Sequence, residues 1–189
     1  MRSPNVFTGA QDRLLIFNET KLTGVFQIDI ERKRDSRGFF ARAWCQREFE
    51  SSGLNSRLVQ CSLSFNEHKG TLRGIHYQGV PFPETKLVRC TRGAIYDVVV
   101  DLRPRSATYK HWIAATLTAE NRHMLYVPEQ CGHGFLTLED NTEVFYQMSE
   151  SFHEDLARGV RWNDPSFQIA WPADVEMISD RDRDYPNFE

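Results

Sequence analysis

Two histidines lie in glycine-containing motifs, and their surroundings suit proton transfer. His76 follows Arg73 by three positions in the segment TLRGIHYQ, and His133 is flanked by glycines in the segment CGHGF. Glycine lets a backbone and a ligand approach closely, as a pocket requires. Lys86 follows in the next apolar stretch, so a base, two cations and a second histidine are available. This set suits chemistry in which a proton leaves a carbon while negative charge develops on a neighbouring oxygen.

The size and charge of the chain narrow the classes of protein to which it can belong. We predict a single domain over residues 1–189, with an N-terminal extension or arm over residues 1–20. The net charge of -3 gives no general reason to expect nucleic acid or an anionic membrane as a partner. No apolar run approaches the ~20 residues of a membrane span and no signal-peptide core is present, so we expect a cytoplasmic protein.

The cysteines and the remaining histidines carry weaker signals. The four cysteines are far apart and form no C-x-x-C pair, so they indicate neither a zinc site nor a disulfide framework. We interpret them as reduced packing residues. The histidines outside the two motifs are interpreted as surface residues: His68, His111, His123 and His153.

Short apolar stretches rich in Val, Ile, Phe and Tyr recur about every ten residues, and they predict an all-β fold. Strands are predicted at 14–17, 25–31, 38–43, 86–90, 94–101, 109–117, 124–127, 134–138 and 143–149, and a short helix is predicted at 46–52. This number of strands can close a barrel or stack two sheets. From Arg158 onward we predict an ordered strap with little regular structure, long enough to reach a pocket.

Several motifs occur together and in a fixed order along the chain. They are RGFF at 37–40, LRGIHYQ at 72–78, KLVR at 86–89, VVVDLR at 98–103, HGF at 133–135 and GVRWNDP at 159–165. In this combination the chain resembles the dTDP-4-dehydrorhamnose 3,5-epimerase family over roughly residues 20–185. The resemblance implies a cupin-like jelly-roll β-sandwich with a few short helices. It also implies a nucleotide-sugar substrate, a homodimer and chemistry that needs neither a cofactor nor a metal.

The resemblance assigns roles in the chemistry to particular residues. The family substrate carries a ketone at C4, which acidifies the hydrogens at C3 and C5 because either carbanion delocalises into an enolate. By match to the family motifs, His76 is expected to be the general base and Asp182 to hold its imidazole. Tyr146 is expected to return a proton from the opposite face. Lys86 supplies charge to the oxyanion, and His133 contacts the sugar or supports the enolate.

Substrate binding is expected to use further matched positions. Arg37 and Arg73 suit the diphosphate, and Gln60 can hydrogen-bond a base or sugar edge. Phe39 or Phe40 could stack on the pyrimidine. Arg42, also placed among the substrate-binding residues, stands where family members commonly have a glutamate. The exchange alters the local charge by two, so the preferred nucleotide and sugar stay open.

Alternative interpretations remain open at this stage. From pattern alone, Tyr146 is as plausible in the core as in a site, Asp182 lies in a mixed charge run typical of a solvated surface, and Lys86 could be an edge-strand charge. The chain could act on another nucleotide 4-keto sugar, such as a CDP-linked one, or invert one carbon only. It could also be a metal-dependent cupin using His76, His133 and His68, or a noncatalytic sugar-nucleotide binder.

Overall fold

Two β-sheets pack face to face in the computed structural model, which describes residues 14–188. The first thirteen residues of the predicted arm therefore lie outside the described residues. The strands are β1 (Leu15–Glu19), β2 (Phe26–Ile30), β3 (Lys33–Asp35), β4 (Gly38–Phe40), β5 (Gln60–Asn66), β6 (Thr71–Gln78), β7 (Lys86–Arg92), β8 (Ala94–Asp101), β9 (Trp112–Thr118), β10 (Met124–Val127), β11 (Cys131–Thr137), β12 (Thr142–Met148), β13 (Ala157–Gly159) and β14 (Met177–Ile178). Two short helices accompany them, α1 (Gln46–Ser51) and α2 (Asp180–Arg183).

The sheet topology confirms the predicted all-β, cupin-like jelly-roll sandwich. The first sheet has the strand order β1-β2-β10-β7-β12-β5, and the second has the order β13-β6-β11-β8-β9. Neighbouring strands along both paths are antiparallel, whereas β14 joins β6 in parallel. Strands β3 and β4 form a separate hairpin.

The hydrophobic core has three parts because both sheets bury apolar side chains on two faces. The central part lies between the sheets and joins Val88 and Val144 of the first to Val99 and Phe135 of the second. A second part lies outside the first sheet under Phe49 of α1. The third covers the outer face of the second sheet with the C-terminal segment, which explains why the valines of β8 are buried on both faces.

The predicted elements recur with shifted ends, and β3, β5, β6 and β13 lie outside the predicted strand ranges. The helix ends one residue earlier than predicted, and β4 covers three of the six residues predicted at 38–43. Strand β5 was not predicted because its sequence, QCSLSFN, places apolar residues on its exposed side. From Arg158 onward the chain is irregular apart from the end of β13, β14 and α2, as predicted.

The cysteines only partly match their interpretation as packing residues. Cys90 and Cys131 are buried, and burial raises the pKa of each thiol to about 12. Cys61 is exposed on β5, so its interpretation as a packing residue was wrong. Among residues 14–188, no helix has both the length and the apolar character of a membrane span.

Candidate active site

A cavity of about 510 Å³ lies between the two sheets. This volume is in the range of small-molecule sites, typically about 300–1,000 Å³. Six of the ten residues that the sequence assigned to a site line it: Gln60, Arg73, His76, Lys86, His133 and Tyr146. A seventh, Asp182, reaches it from α2. The fold therefore collects side chains from both sheets and from the C-terminal segment.

His76 and Asp182 form a hydrogen-bonded pair at the wall of the cavity. Nε2 of His76 lies 2.6 Å from Oδ1 of Asp182, although the two residues are 106 positions apart in sequence. The imidazole side chain is 41% exposed, whereas the carboxylate is 6% exposed. One ring nitrogen is thus held by a carboxylate while part of the ring faces the cavity, which is the arrangement that a general base needs.

Asp182 is fixed by backbone and side-chain donors around it. Ser179 caps α2 by accepting a hydrogen bond from the Asp182 N–H at 3.1 Å, and the Gly74 N–H donates to Oδ2 at 3.1 Å. Burial acts to raise the pKa of Asp182, but the bonds from His76, Gly74 and Ser179 outweigh it, and the pKa is lowered. The carboxylate is therefore ionised at neutral pH and can orient the imidazole.

His133 belongs to a second histidine–aspartate pair, which lies deeper. Its Nε2 is 2.7 Å from Oδ1 of Asp97, and the side chains are only 4% and 0% exposed. The two residues lie on the adjacent strands β11 and β8. Burial raises the pKa of Asp97 despite the opposing influence of His133, and Oδ2 of Asp97 has no hydrogen-bond partner among the described residues. No role was predicted for Asp97, although a carboxylate inside a valine-rich strand is a signal for one.

Tyr146 lies on β12 in the first sheet, whereas His76 lies on β6 in the second. The two side chains therefore approach the cavity from opposite walls. The ring of Tyr146 packs edge-on against His133, with centroids 6.0 Å apart. Burial and the nearby Asp97 carboxylate raise the pKa of Tyr146, so the phenol stays protonated at neutral pH and can donate a proton.

Lys86 points into the cavity from the start of β7, and its side chain is 10% exposed. Its ammonium is 3.0 Å from Oε1 of Glu84 and donates to the backbone carbonyl of His76 at 3.4 Å. An interior lysine with these contacts can stabilise an oxyanion beside the histidine. Sequence reasoning missed Glu84, although a carboxylate two positions before a buried lysine is a visible signal.

Three arginines contribute to the cavity lining. Nε of Arg73 donates to Oδ1 of the buried Asn66 at 2.7 Å, so the guanidinium has a fixed direction. Arg158 is held by the carbonyls of Asp155 and Ala157, and Arg181 donates to the Tyr185 hydroxyl. Only Arg73 was predicted; Arg158 and Arg181 are exposed residues of charged segments, which resemble ordinary surface.

Gln60 and Phe152 form another part of the lining. Oε1 of Gln60 accepts a hydrogen bond from the Phe152 N–H at 3.1 Å, which ties the loop after β12 to β5. The Phe152 ring is 58% exposed although it lines the cavity. An exposed ring in this position is available for stacking, whereas Phe39 and Phe40, the residues predicted to stack, do not line the cavity.

The other three predicted substrate-binding residues do not line the cavity of this chain. Arg37 pairs with Asp35 in the β3–β4 hairpin, and its side chain is 87% exposed. Phe40, in the same hairpin, is 74% exposed. Arg42 forms an ion pair with the buried Glu48, which also accepts the backbone N–H groups of Leu14 and Leu15. Arg42 thus helps to fix the chain ahead of β1.

The described residues contain no group of three or more His, Cys, Asp and Glu side chains arranged to hold a metal ion. His76 and His133 each direct Nε2 at an aspartate, and His68 is exposed. The three histidines proposed as ligands in the metal-dependent alternative therefore do not converge on one metal position.

Comparison with known proteins identifies the family. A family model described as dTDP-4-dehydrorhamnose 3,5-epimerase matches residues 19–189. A protein of that name from Methanothermobacter thermautotrophicus is 40% identical over 172 residues, which are 89% of this chain and 92% of the relative.

Two solved structures share the fold. One is dTDP-4-dehydrorhamnose 3,5-epimerase from Bacillus anthracis with TDP and PPi bound; its TM-score is 0.88 at 38% identity, covering 92% of this chain and 99% of that one. The other is a 3'-monoepimerase from Streptomyces bikiniensis in complex with dTDP-quinovose, with a TM-score of 0.83 at 31% identity, covering 90% and 86%. The family match, the sequence identity and the shared fold agree with the motifs around His76 and His133, and the chain belongs to the dTDP-4-dehydrorhamnose 3,5-epimerase family.

Proposed function

We propose that the protein inverts C3 and C5 of a nucleotide-linked 4-keto-6-deoxy sugar, converting dTDP-4-dehydro-6-deoxyglucose to dTDP-4-dehydrorhamnose. The observation that carries the proposal is the placement of His76 and Tyr146 on opposite sheets across one cavity. Inversion requires a proton to leave one face of a carbon and another to arrive on the opposite face. A base and an acid on facing walls meet this requirement.

In the proposed first half-reaction, His76 takes the proton from the carbon beside the ketone. The C–H electron pair moves into the carbon–carbon bond and the carbonyl becomes an enolate oxygen. The ring becomes an imidazolium, which the ionised Asp182 stabilises across the 2.6 Å hydrogen bond. The Lys86 ammonium supplies positive charge to the enolate oxygen.

In the second half-reaction, Tyr146 donates its phenolic proton to the opposite face of the same carbon. The carbonyl re-forms as the enolate electrons take up that proton, and the inverted ketone results. Because burial raises the pKa of Tyr146, the phenol enters the reaction protonated. The His76 imidazolium then releases its proton to solvent and the Tyr146 phenolate regains one, so base and acid are restored and the sequence repeats at the second carbon. All of the steps use only protons, so we propose that neither a redox cofactor nor a metal takes part.

The nucleotide is proposed to bind at the rim of the cavity. Three exposed arginines, Arg73, Arg158 and Arg181, offer charge to the diphosphate, and Arg forms bidentate bonds with phosphate oxygens. The exposed ring of Phe152 offers a surface for the pyrimidine, and Gln60 holds that loop in place. The ligands named for the two solved relatives, TDP and dTDP-quinovose, support a thymidine diphosphate sugar.

We also infer that the active protein is a homodimer of single-domain chains, each with an N-terminal extension that includes β1. Strand β5 is at the edge of the first sheet and exposes Leu63 and Phe65, which are 63% and 47% accessible. Exposed apolar edges favour association with another chain. A partner subunit could then bring the exposed Arg37 and Phe40 to the rim of the other cavity. Free cysteines are consistent with the proposed cytoplasmic location.

A second candidate function is inversion at one carbon only. The similarity to a 3'-monoepimerase at 31% identity favours it, because that protein shares this fold. The same acid and base would act, and the binding of the sugar would decide which carbon meets them.

Deuterium incorporation tests both candidates. The protein is incubated in heavy water with dTDP-4-keto-6-deoxyglucose, without added cofactor or metal, and the sugar is followed by NMR. Exchange at C3 and C5 is expected, whereas exchange at C3 alone would establish the second candidate. Tyr146→Phe should block inversion while leaving His76 able to exchange protons. No exchange with any nucleotide would overturn the proposal, and affinity unchanged in Tyr146→Phe would then favour a binding protein.

A further inference from the structure

Glu84 is a carboxylate inside the cavity to which the proposed reaction gives no part. It lies two residues before Lys86, and its Oε1 is 3.0 Å from the Lys86 Nζ. The two side chains are 9% and 10% exposed, so the ion pair is largely removed from water. Burying a charged group is unfavourable unless a partner compensates it, and each member of this pair provides that partner for the other.

We propose that Glu84 is a positioning residue that acts through Lys86. It directs the lysine ammonium at the enolate oxygen that develops beside His76. This inference rests on the proposed function, because the enolate belongs to that reaction. In this inference Glu84 contacts the lysine, and Lys86 contacts the sugar.

The hydrogen bonds of Lys86 support the directing role. An ammonium has three N–H donors. One is used by Glu84 at 3.0 Å and a second by the backbone carbonyl of His76 at 3.4 Å, which leaves one for a ligand. Without Glu84, the flexible lysine side chain would keep only the longer contact, and its head group would sample several positions. The carboxylate thus converts a mobile cation into a fixed donor.

The charges around Lys86 identify Glu84 as its partner. The other titratable or charged groups that line the cavity or act on Lys86 electrostatically are Arg73, His76, Tyr77, Asp97, His133, Tyr146, Arg158, Arg181 and Asp182. Asp97 is bound to His133 and Asp182 to His76, so each of these carboxylates already serves an imidazole. Glu84 is the carboxylate in direct contact with the ammonium, and it compensates the charge of the buried lysine.

A double-mutant cycle tests whether Glu84 acts through Lys86. The variants are Glu84→Gln, Lys86→Met and the double variant, and the measurement is the rate of deuterium incorporation into dTDP-4-keto-6-deoxyglucose. We expect Glu84→Gln to lower kcat about tenfold with KM within about twofold, because a displaced donor weakens mainly the transition state. In the Lys86→Met background, Glu84→Gln should cause no further loss.

The split between kcat and KM supplies a readout that a merely structural role would not move. Asp29→Asn is the matched control, since Asp29 also contacts the side chain of a basic residue, His123 at 3.4 Å, but lies outside the cavity lining. It should leave both kcat and KM unchanged.

Each outcome has one meaning. Equal losses from Glu84→Gln in the two backgrounds would show that Glu84 acts independently of Lys86, and the inference would be overturned. A raised KM with unchanged kcat would overturn it as well, because Glu84 would then bind the sugar directly. An active wild type with either result leaves the proposed function standing, whereas an inactive wild type removes the proposed function and this inference together.

Discussion

The two histidine–aspartate pairs have nearly the same hydrogen-bond length but different surroundings. His76 and Asp182 are 2.6 Å apart, and the imidazole is 41% exposed to the cavity. His133 and Asp97 are 2.7 Å apart, and both are almost fully buried. The first aspartate has a lowered pKa because donors surround it, and the second has a raised pKa because burial dominates. Environment thus separates two chemically identical pairs.

The connection of each pair to the fold explains this difference. Asp97 and His133 lie on neighbouring strands, so the sheet itself holds them together and seals them. Asp182 comes from α2, a short helix in the C-terminal segment. Its hydrogen bond to His76 lies at the rim of the cavity. The first pair is suited to exchanging protons with a ligand, and the second to supporting Tyr146 and the cavity floor.

The largest expected effect is on activity at the exposed pair. His76→Ala should lower deuterium incorporation about a thousandfold, the usual range for loss of a general base being about 10²–10⁴. The free energy of unfolding should change less than in His133→Ala, because the ring is partly exposed and the Gly74 N–H still donates to Asp182. The rate is measured by NMR and the stability by urea unfolding. An unchanged rate would remove the distinction between the pairs.

The buried pair should show the opposite pattern, with stability as the main loss. His133→Ala leaves the Asp97 carboxylate buried without its partner, and the expected cost is about 3 kcal/mol in the free energy of unfolding. The double variant His133→Ala/Asp97→Ala should recover part of it, because the unpaired charge is gone. Urea unfolding measures both. A loss no greater than that of His76→Ala would contradict the structural role.

A smaller effect is expected from a substitution that displaces Tyr185, the ring packed against His76. A Cβ at Gly159 would lie 2.3 Å from ring atoms of Tyr185, which packs edge-on against His76 at 6.2 Å. Gly159→Ala should therefore displace Tyr185 and lower kcat about tenfold. Tyr185→Ala serves as the control background, in which Gly159→Ala has room and should add nothing. An additive loss would show that Gly159 acts on something other than Tyr185.

The smallest effects concern the pH dependence of stability, which should have opposite signs for the two aspartates. The lowered pKa of Asp182 contributes stability that is present above its unfolded pKa, about 4, and is lost at lower pH. The raised pKa of Asp97 means that folding disfavours its ionised form. Its contribution to the free energy of unfolding therefore becomes more favourable as the pH falls towards about 4.

Asparagine variants measure these contributions. The stability of the wild type relative to Asp182→Asn should decrease between pH 7 and pH 3, whereas relative to Asp97→Asn it should increase between pH 7 and pH 4. Urea unfolding at the three pH values provides the comparison. The same sign for both aspartates would mean that burial does not separate the pairs.

The fold was predictable to the extent that periodicity carried it. The alternating and valine-rich stretches gave most strands, and the helix at α1 was placed within one residue. Strand β5 escaped because its apolar residues point outward, so its pattern has no buried side to mark it. Alternating apolar residues predict a strand when those residues are buried on one face of a sheet. In the edge strand β5, Leu63 and Phe65 are exposed instead.

The site residues divide in a similar way. His76, Lys86 and His133 stand in motifs with unusual residue types for strands, and these are visible in the sequence. Asp97 and Glu84, which pair with His133 and Lys86, were missed, as was Asn66, which accepts a hydrogen bond from Arg73. Residue type and spacing do not show which carboxylates and amides of the chain face a buried cation or imidazole. Arg37 and Phe40 belong to the family motif, but in this chain they lie in an exposed hairpin outside the cavity lining.

The sequence by itself determined the family, the all-β class and the identity of the proposed base, because these depend on residue types and local spacing. Only the tertiary structure decided that Asp182, 106 positions away, contacts His76, and that Tyr146 approaches from the opposite wall. It also decided that one pair is exposed and the other sealed. The physical reason is that pKa shifts and proton transfer depend on distance and burial, which arise from packing between segments far apart in the chain.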